Sequence, residues 1–243
     1  MNEIVLKPYY VAFVSGGKDS LYMLQVILNN LHKYPLNCVC HFELEIDFPF
    51  VKNVINTMKQ MCEKIGVKFI TFKPRTSWFE LVEKYNMPTR FVRWCNSKYK
   101  LDCQKQLDEY LNSIGCYCVK YIGFCADENK RFKYKVGSFD YKNDLLCYPL
   151  AEENIKEHTI LEWARNVAVF NDYYKFINRC GCMMCPCSSL MEFAYVKKYY
   201  PEEWVKFKKY ILAYEQKFNR SWQGYYAFDK LEKVLETKYE VKM

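Results

Sequence analysis

The tightest constraint on this chain is the run Ser15-Gly16-Gly17-Lys18-Asp19-Ser20, which closes one periodicity and opens another. Ahead of it, Tyr9-Tyr10-Val11-Ala12-Phe13-Val14 is a short β-rich run. Behind it, Leu21, Leu24, Ile27, Leu28 and Leu31 recur at helical spacing. Strand, tight loop and helix in that order suit an anion: glycines let backbone N–H groups approach oxygens, the helix dipole favours negative charge, and a lysine adds a full cation. Walker A spacing is excluded, because Ala12 and Phe13 precede the loop and Asp19 follows Lys18. The plain alternative is a strand-to-helix turn with Asp19 or Ser20 as N-cap.

The alternation continues downstream. Cys38-Val39-Cys40-His41-Phe42 reads as a strand, residues 51–65 as a helix stopped by Gly66, and residues 67–72 as a third strand. Helices follow over 79–85 and 98–111, then a strand over 118–124 and a fifth over 145–150. Such alternation implies right-handed crossovers and an α/β fold: a mostly parallel five-stranded sheet with helices on both faces. Ligands then sit at the carboxyl ends of the strands, which gathers the loop at Ser15, the segment after Phe42 and the 123–131 loop around one crevice. From about Ile155 the strand signal stops. We therefore expect an α/β nucleotide-binding domain over 1–154 and a helical, Cys-rich segment over 155–243.

Composition narrows the class. With 243 residues and 51% hydrophobic content, the chain can bury a core of ordinary size. No apolar run approaches the roughly 20 residues needed to span a bilayer, and no signal peptide is evident, so a cytoplasmic chain without a membrane is expected. Its thirteen cysteines then read as reduced thiols rather than a disulfide scaffold. A formal charge of +8 favours an anionic partner: a nucleotide, a sulfonucleotide, or RNA or DNA. Residues 193–222 are dense in Lys and Tyr. They are either an amphipathic segment whose rings pack, or a nucleic-acid surface with rings for stacking and cations for phosphate.

Ser15-Gly16-Gly17-Lys18-Asp19-Ser20 resembles the signature of the PP-loop ATP pyrophosphatases, whose fold is adenine nucleotide alpha-hydrolase-like. Two further segments resemble the phosphoadenosine phosphosulfate (PAPS) reductase-like branch. One is Arg93-Trp94-Cys95 with Lys100 five residues after the cysteine, the other Gly123-Phe124-Cys125-Ala126-Asp127-Glu128, followed by Tyr148-Pro149-Leu150. The resemblance implies an adenine nucleotide held by residues 15–20, Arg93 and Gly123, with Lys18, Lys100, Asp127 and Arg131 in the chemistry. The ligand would be ATP with Mg²⁺, or else PAPS or adenylylsulfate. Cys125 stands where that branch usually has Arg. Asp127 and Glu128 are read two ways, as Mg²⁺ ligands or as partners of Lys130 and Arg131.

Cys180-Gly181-Cys182-Met183-Met184-Cys185-Pro186-Cys187 packs four thiols into eight residues, a density that burial alone does not explain. With Cys95, the thiols of Cys180, Cys182 and Cys185 form a candidate ligand set for an iron–sulfur cluster, with zinc as the alternative. Cys187 is the other choice for the fourth position, and the third is an open iron that could bind and deliver sulfide. The cluster-bearing reductases of the resembled branch have a cysteine where Trp94 stands, and the true reductases carry a nucleophilic cysteine in a C-terminal motif, whereas here none follows Cys187. The favoured expectation is thus an ATP pyrophosphatase that adenylylates a substrate for sulfur transfer, served by a sulfur donor protein. The alternatives are a PAPS or adenylylsulfate reductase fed by an electron donor protein, and a non-catalytic nucleotide-binding subunit of a defence or nucleic-acid-modification complex.

Overall fold

The computed structural model describes residues 6–132 and 145–239. They belong to two compact units: Met1–Glu43, Pro49–Lys73 and Cys103–Tyr174 form the first, and Leu44–Phe48, Pro74–Asp102 and Lys175–Met243 the second.

The first unit is an α/β layer structure. Its strands β1 (Lys7–Val14), β2 (Cys38–Phe42), β3 (Lys68–Phe72), β4 (Cys116–Tyr121) and β5 (Leu145–Cys147) lie in the order β3-β2-β1-β4-β5, all pairs parallel. The strand order reverses at β1, between β2 and β4, and such a switch point opens a crevice at the carboxyl ends. Alternation along each strand serves both faces. Val11, Cys38 and Cys40 pack against Leu107 and Leu111 of α4 (Leu101–Ser113). Their neighbours Ala12, Val14, Val39 and Tyr121 are equally buried, on the face served by α1 (Lys18–Asn29). With α2 (Phe50–Glu63), α5 (Pro149–Glu152) and α6 (Glu157–Arg165), the sheet is covered on both sides.

The fifth strand is shorter than expected. It ends at Cys147, because Pro149 has no N–H to give a ladder and instead occupies the first turn of α5. The expected boundary at 154/155 also differs from the observed division. Residues beyond 154 stay with the sheet: the Trp163 ring of α6 meets Tyr22 of α1 edge-on at 5.0 Å.

The second unit is helical. It holds α3 (Trp78–Tyr85), a π-helical turn over Cys95–Lys100, α8 (Leu190–Tyr199), α9 (Pro201–Phe218) and α10 (Phe228–Tyr239); the four-residue α7 (Tyr173–Phe176) precedes α8 in the chain. A helix from Lys98 was expected; the turn instead starts at Cys95 with the wider π register. Segment 74–102 joins the tail through specific bonds, among them Trp222 Nε1 donating to the Pro88 carbonyl at 2.7 Å. Most rings of the tail are packed: Tyr195 on Tyr199 at 4.5 Å, Trp204 on Phe228 at 5.1 Å and Phe193 on Trp222 at 5.8 Å. Among the described residues, no helix is long and apolar enough to cross a membrane.

Candidate functional site

In the first unit the loop between β1 and α1 is fixed by sterics. Gly16 has φ +75°, and a Cβ there would lie 2.6 Å from Val51 Cγ1, so only glycine fits. Gly17 is the N-cap of α1 and has no side chain with which to cap the helix start. Neither Asp19 nor Ser20 takes the capping role of an ordinary turn. The Ser20 hydroxyl donates back to the Gly17 carbonyl at 2.9 Å and accepts from Ser15 N at 3.3 Å, which braces the loop. Below it, His41 on β2 is 3% exposed with Nδ1 3.0 Å from the Val14 carbonyl, so that nitrogen carries the proton.

Lys18 is 1% exposed, and its ammonium reaches Asp19 at 2.9 Å and Glu157 at 3.4 Å. A buried cation needs such partners, and two carboxylates within reach leave the local balance negative. Burial lifts the Asp19 carboxyl above its usual range, and Glu128 and Glu157 add to that against the pull of Lys18. The Lys18 backbone N–H donates to the Tyr174 hydroxyl at 2.8 Å. Neither Glu157 nor Tyr174 carried a sequence signal, since each lies far downstream of the loop.

The loop after β4 closes on the same helix start. A Cβ on Gly123 would sit 3.1 Å from the Asp19 carbonyl oxygen, so this glycine permits a close backbone approach. Cys125, fully buried, points its thiol at Asp19 Oδ1, 3.7 Å away. Burial, with Asp19 and Glu128 nearby, raises that thiol far above the ordinary cysteine range, so it is a neutral donor rather than an anion contact. Asp127 accepts from the Glu157 N–H at 3.0 Å at the start of α6, and Glu128 pairs with Arg131 at 2.6 Å. Arg131 also lies over the Phe124 ring at 4.0 Å. Of the two partners read for this acidic pair, Arg131 pairs with Glu128, while Asp127 accepts a backbone N–H instead of pairing with Lys130.

In the second unit, Cys95, Cys182 and Cys185 line one cavity of about 50 Å³, together with Arg93, Lys100 and Met184. Burial, followed by the neighbouring Cys182, raises the Cys95 thiol; Lys100 and Arg93 oppose the rise. Burial takes Cys185 up to about 11. Burial alone would lower Lys100, but Cys182, Asp47 and Cys95 outweigh it and hold the ammonium above its ordinary value. The Met183 N–H donates to the Ile46 carbonyl at 2.7 Å, and Met184 adopts φ +52°, which turns the chain sharply between Cys182 and Cys185.

As a donor set, three soft thiols converging on one cavity beside a cation fit a thiolate-bound metal or cluster. They are not closed around a point: among the described residues no three His, Cys, Asp or Glu side chains form a finished metal site. Cys180 does not line the cavity, its thiol lying 3.8 Å from the Gly181 carbonyl, and Cys187 lines a different one. Arg93 and Lys100, expected at the nucleotide, line the thiol cavity.

Residues 9–188 match the family described as the phosphoadenosine phosphosulfate reductase domain. Two proteins of Methanocaldococcus jannaschii, named as uncharacterized proteins MJ0066 and MJ0973, are 29% and 27% identical over 231 and 245 residues. They cover 89% and 92% of this chain. The matches take in 44% and 54% of those proteins, so the chain spans about half the length of the curated relatives it matches. Among solved structures, a PAPS reductase from Candida auris in complex with phosphate aligns at a TM-score of 0.41 and 14% identity. That alignment covers 66% of this chain and 73% of the other. The U34-tRNA thiolase NcsA from Methanococcus maripaludis, with its 4Fe-4S cluster, aligns at 0.43 and 17% identity, covering 99% and 77%. Those scores mark loose likeness only.

Proposed function

The chain belongs to the phosphoadenosine phosphosulfate reductase domain family, and from that premise we propose that it is a PP-loop enzyme activating an acceptor with ATP for sulfur transfer. An acceptor oxygen attacks the α-phosphorus and pyrophosphate leaves. Hydrosulfide or its equivalent then displaces AMP, exchanging a C–O bond for C–S with no net redox change.

The observation that carries this reading is Lys18, buried at an α1 start whose N-cap is a glycine. Its ammonium exchanges Asp19 and Glu157 for oxygens of the leaving pyrophosphate, stabilising charge as it develops. Residues 15–20 cradle the phosphates, and Gly16, pressed on Val51, holds the cradle's shape. Mg²⁺ enters as the nucleotide's own counter-ion, beside Asp127 at the start of α6 and Glu128 against Arg131. Cys95, Cys182 and Cys185 are the residues that would hold an iron–sulfur cluster or zinc, which would supply a soft site for sulfur. Lys100 and Arg93 would balance the charge of those thiolates.

Product analysis tests this. Pyrophosphate from ATP supports it, sulfite from PAPS or adenylylsulfate would replace it with a reductase, and nucleotide binding without either product would leave a non-catalytic module.

A further inference from the structure

Two rings of the second unit depart from the packed pattern of its tail: Phe91 is 87% and Tyr225 70% exposed. Each is braced through its neighbours. Phe91 rides on a turn in which the buried Thr89 hydroxyl accepts the N–H groups of Phe91 and Val92 at 3.3 and 3.0 Å. The Thr89 N–H in turn donates to the Val92 carbonyl at 3.1 Å. Trp222, 1% exposed, ties the 221–226 loop to Pro88, and a Cβ on Gly224 would lie 3.5 Å from the Phe91 ring. The two rings therefore share one small patch.

Arg90 joins the patch to the cysteine loop. Its Nη1 donates to the Tyr225 hydroxyl at 2.8 Å, its guanidinium lies 4.7 Å from that ring's centroid, and its Nε donates to the Pro186 carbonyl at 3.2 Å. Arg90 also lines an open cavity of about 480 Å³ with Arg179, Asn178, Cys187, Ser188 and Glu192, whose carboxylate pairs with Arg179 at 3.6 Å; the volume is in the range that holds a nucleotide-sized ligand. Charge follows the same unit: it carries nineteen Lys and Arg against thirteen Asp and Glu, and the other unit seventeen against fifteen.

We propose that this face binds unpaired nucleotides of single-stranded RNA, with bases stacked on Phe91 and Tyr225 and phosphates on Arg90 and on Arg179, the latter in exchange for its Glu192 partner. Exposed rings interleaved with cations suit a ligand that alternates flat bases with anions. A protein partner fits less well, since Phe91, Val92 and Tyr225 make only a small apolar area beside cations and a polar cavity. RNA loops present splayed bases as a standing state, while duplex DNA must first unpair and unstack them. The proposal deepens the sulfur-transfer reading by giving its acceptor a class, and rests on that reading only for the chemistry.

The test is fluorescence anisotropy of a labelled short single-stranded RNA with the full chain and no ATP, at about 0.1 M salt. The same sequence as single-stranded DNA and as duplex RNA provides the comparison. Wild type should bind the single-stranded RNA best, and Phe91→Ala with Tyr225→Ala should weaken it about tenfold or more while leaving the melting curve unchanged. No RNA binding by wild type, equal binding by the double variant, or equal affinity for DNA or duplex would each overturn the proposal. ATP binding measured by calorimetry without RNA on the same proteins reports the nucleotide reading separately, so either can fall while the other stands.

Discussion

The Lys18 backbone N–H donates to the Tyr174 hydroxyl at 2.8 Å, joining the first residue of α1 to a side chain 156 positions downstream. At a helix start whose N-cap is a glycine, this hydroxyl does what a phosphate oxygen would do when bound. Tyr174→Phe should therefore cost about 1–3 kcal/mol without ligand, because a buried N–H loses its partner. Saturating ATP should narrow that deficit, as phosphate takes over the N–H. Thermal melts with and without nucleotide check it; a deficit of the same size in both would deny the amide a role in phosphate binding.

Gly16→Ala adds a methyl 2.6 Å from Val51 Cγ1 at φ +75°. The left-handed conformation alone costs about 1–2 kcal/mol. Nucleotide binding should be lost, and adding Val51→Ala should restore part of it by relieving the clash but not the backbone strain. Calorimetric titration of the single and double variants measures both contributions.

The part of this design that local pattern encodes was legible. β1 and β2 were found because Val11, Val14, Val39 and their neighbours form short apolar runs, and Gly66 and Gly115 stop helices at φ +72° and +68°. What was hidden depends on distance along the chain. Glu157 reaches Lys18 and Tyr174 reaches its amide only through the packing of the first unit. Lys100 and Arg93 carry motifs that resemble nucleotide contacts, yet they line the thiol cavity. Most rings of the Lys- and Tyr-rich tail are packed, and the two most exposed rings among the described residues, Phe91 and Tyr225, lie outside its 193–222 span.

His41 gives the first unit an acid limit. Burial lowers its pKa below the ordinary 6.5, despite the Val14 carbonyl that holds Nδ1. The unfolded chain therefore binds a proton that the folded one refuses, and stability falls as pH drops below about 6.5 by up to about 1.4 kcal/mol per unit. Urea denaturation between pH 5 and 7 should show that slope in wild type and a shallower one in His41→Gln.

If Cys95, Cys182 and Cys185 are the metal ligands, alanine at any of the three should sharply reduce the iron or zinc content of anaerobically purified protein, while Cys187→Ala should retain it. Elemental analysis with sulfide determination decides between cluster and zinc. Retained metal in the Cys95→Ala and Cys185→Ala proteins would remove the cavity from consideration.

The most direct measurement is pyrophosphate release from Mg-ATP by the full chain, wild type against Lys18→Ala, with the acceptor mixture and sulfide present. Wild type should release pyrophosphate and AMP together, and Lys18→Ala should lose about a hundredfold or more of that rate, the scale on which a positioned charge-stabilising group contributes. Sulfite released from a sulfonucleotide with no pyrophosphate from ATP, or undiminished nucleotide turnover by Lys18→Ala, would contradict it.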